Sequence, residues 1–193
     1  MSTTKATPLT NAREVEIKLA VPSAAHARRL LRTQGFNVWK PRVFEANDVF
    51  DTPDFRLRNS ESLLRVREVK REAILTYKGP PEPGRHKSRE ELEVDASDPH
   101  TLAAILERLG FHRVFRYEKY RTEFRRGKTG TVTLDETPIG VYLELEGPPP
   151  WIDRTARLLG FAEEEYITAS YARLYLEACA RKGCAPTNMV FES

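Results

Sequence analysis

The chain has 193 residues, of which 40% are hydrophobic and 31% charged, with a formal net charge of +3. That length suits one generous domain or two small ones, with enough apolar residues for a core. The near balance of acids and bases excludes a polybasic nucleic-acid arm, and no run is long and apolar enough to span a membrane.

Residues 1–12 are polar, lack the apolar stretch of a signal peptide, and read as a disordered leader. Arg13 to Ala20 then alternates: Glu14, Glu16 and Lys18 fall on one strand face, Val15, Ile17 and Leu19 on the other. Two carboxylates two residues apart on a strand lie about 6.7 Å from each other. At an effective dielectric near 20 they repel by roughly 2.5 kcal/mol, which water, cations or a metal must offset. Ser23 is an N-cap for a helix with an Ala27, Leu30, Leu31 stripe, stopped by Gly35. Residues 43–51 mix apolar and polar positions, and Thr52-Pro53-Asp54 is a turn. Residues 62–70 alternate Leu64 and Val66 against Arg65 and Arg67, and 73–78 form a strand with Thr76 and Lys78 on one face. Gly79 to Ser88 reads as a mobile loop.

The opening pattern then returns. Glu91-Leu92-Glu93-Val94 precedes an Asp98-Pro99 cap, an apolar helix and Gly110-Phe111, which predicts two similar half-domains. Strands follow near 115–125, 130–135 and 140–146, with Lys119 and Arg121 sharing a face, Asp135 ending its strand, and Glu144 and Glu146 sharing a face. Helices are expected over 151–159 and 164–182, the second with Tyr171, Leu174, Tyr175 and Ala178 as a packing stripe. Residues 183–193 read as a loose tail, and Cys179 and Cys184 as free thiols of a cytoplasmic protein.

These charged faces fit two arrangements. In an open sheet they are solvated and form surface pairs worth about 0–1 kcal/mol each. In a sheet curled on itself they line a lumen, and eight strands leave room for one small ligand. Arginine and lysine there would hold a polyanion, while the carboxylates would hold Mg²⁺ or Mn²⁺ beside the phosphates. No Ser-His-Asp or Cys-His arrangement offers a covalent nucleophile.

The motifs decide between these by resemblance. Glu14-x-Glu16-x-Lys18, then VFDTPDFRL, LLRVR, LTYKGP, SREELEV, KYR, LDETPIGVYLELEG and ITASYARLYLE, in that order, resemble the CYTH family of triphosphate tunnel metalloenzymes over residues 13–177. The resemblance implies an α+β fold: an eight-stranded antiparallel closed barrel with helices outside, over residues 13–182. It implies Mg²⁺ or Mn²⁺ on Glu14, Glu16, Asp135, Glu144 and Glu146, and phosphates gripped by Lys18, Arg65, Arg67, Lys78, Lys119 and Arg121. Glu14, Glu16, Lys18, Lys119 and Arg121 would be catalytic, with Glu91 and Glu93 bracing the bases. Hydrolysis of tripolyphosphate, nucleoside or thiamine triphosphate is favoured; cyclisation of ATP to cyclic AMP and pyrophosphate is the alternative, and a non-catalytic polyphosphate- or nucleotide-binding module a second. The partner would be a small triphosphate, not nucleic acid or membrane, and a homodimer is an expectation from the resemblance alone.

Overall fold

The computed structural model describes residues 12–70 and 72–192; the expected leader lies outside them except for Ala12, which opens the first strand. Eight strands are present: β1 (Ala12–Val21), β2 (Asn37–Asp51), β3 (Leu63–Val69), β4 (Glu72–Lys78), β5 (Lys87–Ala96), β6 (His112–Arg125), β7 (Thr131–Thr137) and β8 (Gly140–Glu146). Five helices accompany them: α1 (Ala24–Thr33), α2 (Arg56–Asn59), α3 (Pro99–Arg108), α4 (Pro149–Leu158) and α5 (Tyr171–Lys182). The strands close into an antiparallel barrel in the order β1-β5-β4-β3-β2-β6-β7-β8.

The expected internal repeat is visible in this order. Each half runs strand, helix, three strands, and the halves exchange their first strands: β1 lies between β5 and β8, β5 between β1 and β4. The matching helices start alike, with Ser23 Oγ accepting from His26 N at 3.1 Å and Asp98 Oδ1 from His100 N at 2.9 Å.

Alternation sends the apolar residues outward, where the helices cover them. Ile17, Leu19, Leu143 and Leu145 pack beneath Leu31 of α1 and Ile152 and Ala156 of α4; Phe50, Val66 and Ala73 pack beneath Ala103 and Leu106 of α3. Each fully buried leucine or isoleucine contributes about 1.5–3 kcal/mol. The barrel is thus apolar outside and charged inside, the reverse of an open sheet with one wet face.

Four local expectations change. β5 begins at Lys87, inside the stretch read as a loop. The rest of that loop is tied to α4, where Arg85 Nη2 and His86 Nε2 lie 2.9 and 2.7 Å from the carboxylate of Asp153. The last helix starts at Tyr171 rather than 164, because the backbone of Ile167 exchanges hydrogen bonds of 2.8 and 2.9 Å with Lys18 of β1. The tail is not loose at Met189, which is wholly buried and bonds along β6 through Arg116 O and Glu118 N, both at 2.9 Å. β7 pairs only with Tyr120–Phe124, so the first half of β6 keeps an open edge that the tail fills.

Candidate active site

The lumen is a cavity of about 1030 Å³. Strand tilt staggers the registers, so the inward residues form rings around the axis. One ring runs Glu16, Arg89, Lys78, Arg65, Asn47, Lys119, Asp135, Glu144, and every member is buried. The next ring toward α5 carries Lys18, Lys87, Leu63, Val49 and Tyr117; the ring on the other side carries Glu14, Glu91, Thr76, Arg67, Glu45, Arg121 and Glu146.

The sequence-predicted residues therefore converge. Glu14, Glu16, Lys18, Arg65, Arg67, Lys78, Lys119, Arg121, Glu144 and Glu146 all line the cavity. Asp135 sits at the same height but behind them, wholly buried, with its oxygens taken by Lys119 Nζ at 2.8 Å, Arg121 Nε at 2.7 Å and Tyr171 Oη at 2.8 Å. Tyr171, read from the sequence as packing only, thus also donates into the site; its ring lies 5.3 and 5.1 Å from the ammonium groups of Lys18 and Lys119.

The charges are held in pairs. Lys18 Nζ lies 3.0 Å from Glu16 and 3.3 Å from Glu144. Lys78 Nζ donates to Glu14 Oε1 at 2.6 Å and lies 3.0 Å from Glu91. Arg121 also grips Glu144. Arg65 donates to Tyr117 Oη and Thr76 Oγ1, both at 3.1 Å, and Glu93 lies 3.6 Å away, so Glu91 and Glu93 do brace bases. Burial pushes the Glu16 carboxyl up, but Lys18, aided by Lys87 and Lys78, holds it below the ordinary range. Burial likewise opposes charge on Lys18, and Glu16 and Glu144 overcome it, keeping Lys18 above its ordinary value.

Four further inward-facing residues escaped the sequence reading: Lys87 and Arg89 line the cavity, and Glu45 and Asn47 lie buried behind its surface. Glu45 is buried, 3.7 Å from Lys119 and 3.8 Å from Arg67; burial raises its carboxyl, and Lys119, Arg121 and Arg67 bring it down to about 2. Lys87 lies 3.2 Å from Glu16, and burial lowers it to about 8. Arg89 lies 3.5 Å from Glu14. Asn47 is wholly buried, and neither its amide nitrogen nor its oxygen has a partner. Period-two alternation through Glu45, Asn47 and Val49, and through Lys87, Arg89, Glu91 and Glu93, was the available signal.

Comparison with known proteins agrees with this geometry. The profile of the CYTH domain family matches residues 12–180. The chain belongs to the CYTH domain family. A Methanocaldococcus jannaschii protein named putative adenylate cyclase is 31% identical over 133 residues, covering 69% of this chain and 75% of that protein. A Pyrococcus horikoshii OT3 structure superposes with a TM-score of 0.72 at 27% identity, covering 85% of this chain and 98% of the other. The same fold occurs in a Hippeastrum protein described as a putative adenylyl cyclase with a dominant triphosphatase activity, with a TM-score of 0.62 at 23% identity and coverage of 90% and 97%.

The CYTH tunnel interleaves charges of both signs. Lys87 and Arg89 join the six predicted bases, and Glu45 joins the seven acids, so in this set eight cations stand among eight carboxylates. No three of the described acidic side chains converge closely enough to hold an ion as they stand, because lysines and arginines draw them apart. Glu146 is the exception in charge. Among the described residues it has no ion-pair partner, and Glu16 stands directly opposite it in the β1–β8 ladder. Glu146 stays accessible from the cavity, but partial desolvation by the surrounding wall, then Glu14 and Glu91, pushes its carboxyl up to about 7. The unpaired carboxylate beside Glu14 and Glu16 suits a hard divalent cation with oxygen ligands.

Proposed function

We propose that this CYTH protein is a metal-dependent enzyme acting on triphosphate compounds, hydrolysing an inorganic or organic triphosphate in its tunnel with Mg²⁺ or Mn²⁺. The observation that carries this reading is the interleaving of eight cations with eight carboxylates in and just behind the wall of one cavity, most of them buried. A tunnel for an anion alone would lack the acids. Where carboxylates already engage the cations, a polyanion is taken up at tolerable electrostatic cost only when divalent cations enter with it.

In this reading Lys18, Arg65, Arg67, Lys78, Lys119 and Arg121 exchange their carboxylate partners for phosphate oxygens. The released Glu14, Glu16 and Glu144, with the unpaired Glu146, hold the metal. Asp135 keeps Lys119 and Arg121 aimed inward. The metal supplies charge neutralisation at the transferred phosphoryl group. Lys18, Lys119 and Arg121 stabilise charge gathering on the leaving phosphate, and the buried wall makes each of these contacts stronger than in water. The free thiols Cys179 and Cys184 suit a cytoplasmic location, and no described helix is long and apolar enough to cross a membrane.

The name of the M. jannaschii relative favours a second reading, cyclisation of ATP to cyclic AMP and pyrophosphate. Incubation with tripolyphosphate, ATP and thiamine triphosphate under Mg²⁺ and Mn²⁺, scored for phosphate, pyrophosphate and cyclic AMP, separates the two. Binding that survives EDTA, with no product under either metal, would leave a binding module instead.

A further inference from the structure

Both cysteines of the chain stand where α5 ends, and neither lines the cavity. The helix closes in a left-handed turn at Gly183, with φ 67° and ψ 26°. Gly183 N donates to Ala180 O at 3.3 Å, and Cys184 N donates to Cys179 O at 3.1 Å. These two bonds make a Schellman turn, whose outermost positions ordinarily carry apolar side chains in contact. Here those positions are Cys179 and Cys184. Cys184 Sγ lies 3.8 Å from the Cys179 carbonyl oxygen, and hydrogen bonding to the Cys179 side chain raises the Cys184 thiol above its ordinary value. Cys179 is buried and Cys184 exposed, so one sulfur meets solutes while the other stands behind it.

This turn joins two parts of the site. On one side, α5 carries Tyr171 to Asp135. On the other, residues 185–192 form a strap along β6. Thr187 N donates to Tyr175 Oη at 3.3 Å, Arg116 N to Asn188 Oδ1 at 2.9 Å and Phe191 N to Glu118 Oε2 at 3.2 Å. Pro186 and Thr187 reach the tunnel cavity itself. Gly183 and Cys184 are therefore the pivot between helix and strap.

We propose that Cys179 and Cys184 are a dithiol modification site, oxidised by a small disulfide such as glutathione disulfide to an intramolecular disulfide that fastens the strap at its pivot. The Cys184 thiolate attacks one sulfur of glutathione disulfide and expels a glutathione thiolate. The Cys179 thiolate then attacks the Cys184 sulfur, forms the intramolecular bond and expels the second glutathione. Two protein thiols are oxidised, the glutathione disulfide is reduced, and the two thiol protons end on the two glutathiones. In a reducing compartment the free-thiol pair is the resting form, and the disulfide is transient.

The test equilibrates the full chain with mixtures of reduced and oxidised glutathione at mildly alkaline pH, then alkylates it and measures its intact mass. The expected product is a monomer lighter by two hydrogens, with no thiol left to alkylate. Cys179→Ser should stop at a glutathione adduct on Cys184, and Cys184→Ser should react about tenfold more slowly, because its remaining thiol is buried. The native chain should favour the disulfide about tenfold over the urea-unfolded chain, because the turn holds the sulfurs together. Gly183→Val, which disfavours the left-handed turn, should erase that preference. Amide hydrogen exchange at Glu118 and Met189, which bond the strap to β6, should slow about fivefold on oxidation. A wild-type chain that ends as a glutathione adduct or an intermolecular dimer, or that favours the disulfide no more than the unfolded chain does, would overturn the dithiol site. Unchanged exchange at Glu118 and Met189 in the disulfide form would overturn the fastening of the strap.

Discussion

Asp135→Asn is the most direct probe of how the tunnel is held together. The change is isosteric, so it removes a charge and leaves the volume. In the structure that charge compensates Lys119, which is buried, and Arg121, which is half-buried, through contacts of 2.8, 2.7 and 2.6 Å. Breaking one side of a buried ion pair costs about 3–5 kcal/mol. Glu45, 3.7 Å from Lys119, and Glu144, which also grips Arg121, keep part of the compensation, which favours the lower end of that range. About 3 kcal/mol corresponds to a fall in Tm of about 6–12 °C for a chain of this length. A bound polyanion would replace the missing charge, so tripolyphosphate with Mg²⁺ should raise the Tm of the variant more than that of the wild type. Thermal unfolding followed by circular dichroism, with and without that ligand, measures both effects. A fall below about 2 °C, or equal ligand shifts in the two proteins, would show that Asp135 does not carry this electrostatic load.

Three further outcomes are expected. Glu146 titrates near 7 in the folded chain against an ordinary 4.5, so the folded state holds a proton that the unfolded state has lost between those values, and stability falls as pH rises through that window. Glu146→Gln should therefore melt above wild type at pH 8 without metal and match it at pH 4, while losing turnover; a Tm difference independent of pH would contradict the shift. Arg65→Ala should raise KM for a triphosphate about 10- to 100-fold, the scale of a charge-assisted contact, and an unchanged KM would place Arg65 outside the phosphate path. Asp153→Asn removes the charge that holds Arg85 and His86, so trypsin should cut after Arg85 or Lys87 several-fold faster, and an unchanged rate would mean that other contacts hold the loop.

Much of the site was legible because β alternation is a property of the backbone. In REVEIKLA, LLRVR and VYLELE the inward and outward faces follow from spacing alone, and those segments supplied Glu14, Glu16, Lys18, Arg65, Arg67, Glu144 and Glu146. The helix starts at Ser23 and Asp98, and the repeat they mark, were equally local. Glu45 and Asn47 were obscured although the ladder runs unbroken from Val43 to Val49, because Asp48 puts a charge on the opposite face and Val49 an apolar residue on theirs, so neither face of the stretch reads as purely apolar. Lys87 was obscured because prolines and glycines precede it, although the strand starts there.

By itself, then, the order of residues determined which side chains share a face, where the chain turns, and which charges had to be offset. Whether those faces enclose a cavity depends on β1 pairing with both β5 and β8, and those registers join residues far apart in the chain. The same pairing leaves Glu146 without a cation, assigns Asp135 to Lys119, Arg121 and Tyr171, and sets Met189 on the open edge of β6. Such choices belong to the closed barrel because one strand's local pattern does not encode the register of its neighbours.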